Sequence, residues 1–337
     1  MKTWIKEPVG ISIAVNDLER SVKTWADVYG IGPWRFFKYE SAAVQDMEVD
    51  GKSTVEDICA SAAVTELDGF EIKLLCPKNQ NNGIARFLQK HGEGIFSVKY
   101  SVYDYSETHD YLTQEKGHAQ LIKGKMQGTD FCYIDTYDGV WHIMEIERGP
   151  QSYPVEYYYP IDGNAPDAKA QFTKVFQIAF MVNDIKKTIV KMVDEYGIGP
   201  FILYDLKKEI IRDPFSLGKP TGFHLWAGMA YYGDLEYELI QPESDGHTVC
   251  DVALERHGDC LQHIGYCVPD YDEAVDFMIK RRGCEIALRG TLGEGDITHT
   301  FLYIDTEKDL SNMVELNDTH PEWRPGFSSV FDYPAKE

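Results

Sequence analysis

The sequence predicts an α+β protein built from four βαβββ modules. Two observations predict it. The chain repeats itself, and each repeat opens on a period-two apolar stretch that gives way to helical spacing. Residues 11–34 read ISIAVNDLERSVKTWADVYGIGPW and residues 178–201 read IAFMVNDIKKTIVKMVDEYGIGPF. Residues 87–117 match 253–283 in the same way, and FCYIDTYDGVWHIMEIE (131–147) matches FLYIDTEKDLSNMVELN (301–317). Each half is doubled again. ISIAVNDLERSVKTW resembles SVKYSVYDYSETHDYL, and 177–193 resembles 263–279, each a strand, then V-x-D, then a helical stretch. The expected organisation is a two-module domain over 1–150, a Gly-, Pro- and Tyr-rich linker or strap over 151–170, a second two-module domain over 171–325 and a tail over 326–337.

The third module shows the elements in order. Ile178, Phe180 and Val182 alternate with Gln177, Ala179 and Met181, which predicts a strand. Asn183 and Asp184 offer a helix N-cap, and Ile185, Ile189, Met192 and Val193 then fall on one helical face. The YGIGP stretch ends that helix, with Gly after the last turn and Pro beyond. Because Gly-Ile-Gly-Pro follows a helix and does not open one, it is no phosphate loop. Further strands include FHLWAGMAYYG and LEYELIQP, the two meeting at a Gly233-Asp234 turn.

Composition narrows the function. With 33 Lys+Arg against 55 Asp+Glu the net charge is −22, which repels nucleic acid and anionic membranes. No run of about 18 apolar residues exists, so no transmembrane helix is expected. The N-terminus carries no signal-peptide core. The seven cysteines (Cys59, Cys76, Cys132, Cys250, Cys260, Cys267 and Cys284) are odd in number and scattered, which reads as reduced thiols in a cytoplasmic protein. Nucleophile-elbow and HExxH motifs are missing.

The fourfold βαβββ pattern with its V-x-D-helix-GIGP opening resembles the vicinal oxygen chelate superfamily, which includes glyoxalase I, methylmalonyl-CoA epimerase and the extradiol dioxygenases. The resemblance covers most of the chain. It implies that modules pair into two cupped, mixed β-sheets with helices on the outside, each cup receiving one ligand from the first and last strand of each module. In the second half those positions are Gln177, Glu238, His263 and Glu315. Pleating supports the set: Ile178 and Phe180 flank the opposite face to Gln177, Ile264 and Tyr266 that to His263, while Val314 and Leu316 bracket Glu315 and Tyr237 and Leu239 bracket Glu238. A strand carboxylate alone is ordinarily solvated, and a lone His ordinarily packs in a core. The four together point to one divalent metal ion, zinc first, with nickel, cobalt, manganese or iron(II) also compatible.

The first half reads Gly10, Lys73, Ser97 and Glu145 at those positions, a degenerate site whose cup could still be open. Adjacent pairing of modules is expected, because it alone gathers the full ligand set.

The resemblance implies a metal-dependent epimerase or isomerase, with a glyoxalase-type lyase as a variant. It would abstract a proton alpha to a carbonyl through a metal-bound enediolate, with Glu315 as the first base and Glu238 as the partner acid/base. A small hydroxy ketone, a cyclitol ketone or a thioester would be the substrate, and a homodimer is compatible. His224, Trp226 and His299, with some of the 21 tyrosines, are candidates for the pocket wall. Two alternatives stand beside this: a non-catalytic, resistance-type binding protein, and an extradiol ring-cleaving dioxygenase. The latter takes two His and one Glu, and here Gln177 holds the first His position while Glu238 adds a second carboxylate.

Overall fold

In the computed structural model, residues 4–40, 43–53, 60–149, 152–159, 170–243, 246–326 and 328–335 are described. They form two 11-stranded mixed sheets, one in each half of the chain, with strand making up 46% and helix 24%. The expected α+β class is observed.

Local sequence explains the module openings. The Asp of each V-x-D caps the helix that follows it: Asp17 accepts from the Arg20 amide, Asp104 from Glu107, Asp184 from Lys187 and Asp270 from Glu273, all at 2.9–3.1 Å. Helix Leu18–Tyr29 buries Leu18, Val22, Trp25, Ala26 and Tyr29, one helical stripe. The helix starting at Ile185 buries Ile185, Thr188, Ile189, Met192 and Val193. Gly30 and Gly197 terminate the two helices in the left-handed region, at φ 73° and 70°.

The two sheets share one topology. At the centre of the second lie Met313–Thr319, Cys260–Cys267, Lys174–Met181 and Leu235–Pro242, in that order. The two inner strands run antiparallel, and each outer one is parallel to its neighbour. The first sheet places Ile143–Glu147, Gly94–Val102, Ile5–Ala14 and Phe70–Pro77 in the same relation. Modules therefore pair one with two and three with four, and the first and last strands of every module sit mid-sheet. A hairpin in each half crosses to its partner module: Val44–Val49 pairs with Ala119–Met126, and Arg212–Ser216 with Ile286–Glu294.

Short strands finish the sheet edges. Tyr157–Tyr159, within the segment read as a linker or strap, pairs with Trp34–Lys38, and Phe331–Tyr333 of the tail pairs with Phe201–Leu206. Among the described residues, those of 4–159 with 309–311 form one compact unit, and those of 170–308 with 312–335 form the other.

The simple in/out alternation read from the sequence does not survive as a burial pattern. Ile178, Ala179, Phe180, Met181 and Val182 are all fully buried. The central strands are covered on both faces, by helices on one and by the curled sheet on the other.

Candidate metal centre

Four strands bring the predicted residues of the second half together. Gln177, Glu238, His263 and Glu315 are buried, at 3%, 9%, 0% and 3% exposure. Nε2 of His263 lies 3.1 Å from Oε1 of Gln177 and 2.9 Å from Oε2 of Glu315. One ligand atom each from Glu238, His263 and Glu315 can be chosen so that all three lie within 4.8 Å of one another. Nδ1 of His263 is 2.8 Å from Oε1 of Gln262, so Nδ1–H donates there and Nε2 is left facing the cup. Behind them Tyr237 stacks on Phe180 at 4.8 Å, which places the flanking apolar residues on the opposite, packed face.

The donor set fits a cation. Oε2 of Glu238 is buried and has no hydrogen-bond partner. Burial, with the charges of Glu315 and Glu236 beside it, pushes its carboxyl well above the ordinary carboxylate range. Two carboxylates, an imidazole nitrogen and an amide oxygen around one point match the chemistry of a borderline divalent ion. Gln177, Glu238, His263 and Glu315 are the residues that could hold it.

Sequence reasoning missed Glu236. It stands two residues before Glu238 on the same strand, hence on the same face, and an E-Y-E run in a predicted strand was the signal. Its Oε2 accepts from Nε2 of Gln177 at 3.2 Å. That bond turns the Gln177 amide so that Oε1 faces His263. Glu236 is itself pushed up to about 7, first by burial and then by Glu315.

A cavity of about 130 Å³ opens above the cluster. Gln177, Glu236, Glu238 and Glu315 lie at its floor. Leu225, Ala227 and Met229 wall one side, and Leu292, His299 and Phe301 the other, so the sheet curls around it. Tyr204, Tyr231 and Tyr303 join the lining, and the tail adds Trp323, stacked on His299 at 4.6 Å. His299 is thus at the wall as expected. His224 and Trp226 are not. They share a face, but His224 pairs with Asp205 and Trp226 donates to Glu243, with Lys186 of the outer helix 5.7 Å from the Trp226 ring.

In the first half the same positions are closed. Nζ of Lys73, fully buried, lies 2.6 Å from Oε1 of Glu145 and 3.2 Å from the Tyr133 hydroxyl, while Ser12 and Ser97 donate to Oε2 of Glu145. A lysine ammonium holds the charge that a metal would carry. The open first cup allowed by the small residues Gly10, Ser12 and Ala14 is not what forms. Tyr39, Tyr133 and Tyr153 pack into it, and Tyr153 donates to Glu71 at 2.8 Å. His142 is no substitute ligand; it bonds Tyr100 and the Val140 carbonyl.

A cross-strand exchange of size explains the difference. Gln177 faces Gly265, whose Cβ would lie 2.8 Å from that of Gln177. In the first half the pair is reversed: Gly10 faces Lys99, and a Cβ on Gly10 would lie 2.7 Å from the Glu71 carbonyl oxygen. At this crossing the first half has no room for a side chain at 10, where Glu71 stands, and the second none at 265, where Phe176 and Gln177 stand. The second half carries a ligand there, the first a lysine bound by Glu71 and Glu147 at 3.0 Å.

Comparison with known proteins agrees with this architecture. Residues 11–133 and 176–301 match the family model of the glyoxalase/bleomycin resistance protein/dioxygenase superfamily. The chain belongs to that superfamily. Among solved structures, a triple mutant of 4-hydroxymandelate synthase from Streptomyces coelicolor aligns over 98% of this chain and 95% of its own, at 11% identity and a TM-score of 0.61. A xylose isomerase-like TIM barrel/4-hydroxyphenylpyruvate dioxygenase fusion protein aligns over 96% of this chain and 50% of its own, at 9% identity and 0.53. The Mn(II)-bound glyoxalase from Novosphingobium aromaticivorans aligns over 94% and 83%, at 12% identity and 0.48. No curated protein matches the chain in sequence. For the synthase and the fusion protein, at these identities, the likeness is one of fold; superfamily membership is in keeping with a metal-dependent enzymatic role.

Proposed function

We propose that the protein is a metal-dependent epimerase or isomerase that moves a proton at the carbon beside a substrate carbonyl. One observation carries this reading: Glu238, His263 and Glu315 converge in a buried cup with a carboxylate oxygen left without a partner. Gln177, Glu238, His263 and Glu315 would hold one divalent ion, zinc first. When bound, such an ion polarises a carbonyl oxygen and acidifies the adjacent C–H. The residues supply the rest. Glu315 takes the proton from carbon, and Glu238 is the partner acid/base that returns one to the substrate. Delivery to the opposite face of the same carbon inverts it; delivery to the next carbon isomerises it. His263 and Gln177 hold, with Gln262 and Glu236 fixing their orientation. The second carboxylate beside a single imidazole disfavours the ring-cleaving alternative, since it fills a position that oxygen chemistry needs open. The test is metal content of the purified chain together with deuterium uptake from D2O at the carbon beside the carbonyl of an α-hydroxy ketone. Stoichiometric metal, with exchange lost in Glu315→Gln, supports the reading. A metal-free chain that cannot be reconstituted would sink it.

A further inference from the structure

The proposed reaction leaves the substrate's class open, and the walls of the cavity narrow it. Three carboxylates, Glu236, Glu238 and Glu315, stand at the floor, and among the described residues lining the cavity none is Lys or Arg. Arg324 follows Trp323 on the tail, but its guanidinium turns back onto the carbonyls of Pro321 and Trp323. An anionic substrate would therefore meet carboxylates at the floor and no cationic side chain to pair with, an arrangement that disfavours it. Above the floor the walls are apolar or aromatic, with Leu206, Leu225, Leu292, Phe301 and Trp323 among them. His299 is already stacked under Trp323, and its Nδ1 is 2.7 Å from the Thr319 hydroxyl. The polar wall groups are few, Tyr204, Tyr231, Tyr303 and Asn317 beside this apolar surface, so a ligand with an apolar ring and a few oxygens matches it better than a fully hydroxylated one.

We infer, resting on the proton-transfer reading above, that the cup takes an uncharged hydroxy ketone carrying an apolar ring. The oxygens meet the floor and the ring lies against Phe301 and Trp323. Phosphorylated carriers, dicarboxylate-bearing thiols and 2-oxo acids are disfavoured for want of a cationic partner in the lining.

Three probes test this by calorimetric titration of the full chain, loaded with zinc and again after chelation: 2-hydroxyacetophenone, which is neutral with a ring; mandelate, which is anionic with a ring; and dihydroxyacetone, which is neutral without one. The expected order puts 2-hydroxyacetophenone first, with mandelate weaker by about tenfold or more. Trp323→Ala should weaken the ring ketone and leave dihydroxyacetone unchanged. Leu206→Arg, a partly exposed wall position, should raise mandelate affinity. Mandelate binding as well as the ketone to the unaltered chain overturns the exclusion of anions, and dihydroxyacetone binding as well overturns the requirement for a ring. Deuterium uptake by 2-hydroxyacetophenone is read separately. Binding in the expected order without exchange would remove the proposed reaction and leave the ligand class standing. Exchange of dihydroxyacetone or of a 2-oxo acid in preference to the ring ketone would do the reverse.

Discussion

Glu236 shows how much a single side chain decides in this cup. It was not among the positions that the family resemblance picks out, yet it accepts the amide of Gln177 and so aims that residue's oxygen at His263. On the proposed reading, Glu236→Leu should weaken metal binding about 10- to 100-fold, the usual effect of removing a partner behind a ligand, while Glu236→Gln should retain most of it. Competition with a chromophoric chelator reads both; equal loss in the two variants would deny the orienting role. The same residue gives the protein a pH signature. Its carboxyl, ordinarily near 4.5, is pushed up to about 7 by burial and Glu315. Glu147 in the first half is likewise pushed up to about 7, by burial above all. Between those values the folded chain keeps protons that the unfolded chain has released, so stability falls as pH rises through the window and is level below it. Glu71 works in the opposite sense. Lys73 and Lys99 outweigh its burial and hold it at about 2, so its contribution is present above 4.5 and is lost on acidification toward 2. The metal-free protein should therefore melt higher at pH 5 than at pH 7.5, and the difference should shrink in Glu236→Gln/Glu147→Gln. A melting temperature that climbs between those pH values would contradict the assignment.

At the scale of elements the sequence was most readable where backbone chemistry is local. The four V-x-D aspartates announced four helix N-termini because a carboxylate capping an amide two or three residues on needs nothing from the rest of the fold. Asp184→Ala should cost about 1 kcal/mol in the second half, measured by denaturant unfolding; no loss would mean that the cap is replaced by Asn183 or by water. The metal-ligand positions were legible for a related reason, since strand parity fixes which side chains share a face. What stayed hidden depends on distant partners. No local pattern revealed that Tyr153, from a Gly- and Pro-rich stretch, would reach Glu71 and fill the first cup, or that Trp323 would leave the tail to roof His299 in the second. The helical-face and cup-face residues of Lys174–Met181 could not be separated by burial either, because both faces of that strand are covered.

The whole molecule is one architecture used twice with opposite electrostatic solutions. The second half gathers carboxylates that repel one another without a cation, and the first half supplies Lys73 and Lys99 from its own strands. One metal equivalent per chain should therefore be found by elemental analysis. Glu315→Gln should abolish it and Glu145→Gln should leave it intact; two equivalents, or loss in both variants, would show that the first half also binds. Lys73→Met should destabilise the first half by about 3–5 kcal/mol, as removing one partner strands a buried charge on Glu145. The exchange of long and short residues between Gly10/Lys99 and Gln177/Gly265 reaches further than either measurement. Glutamine at position 10 would collide with Glu71 whatever stands at 99, and trimming Lys99 abandons Glu71 and Glu147. Neither substitution alone restores a ligand to the first cup, so the two halves, once twins, are held to separate trades.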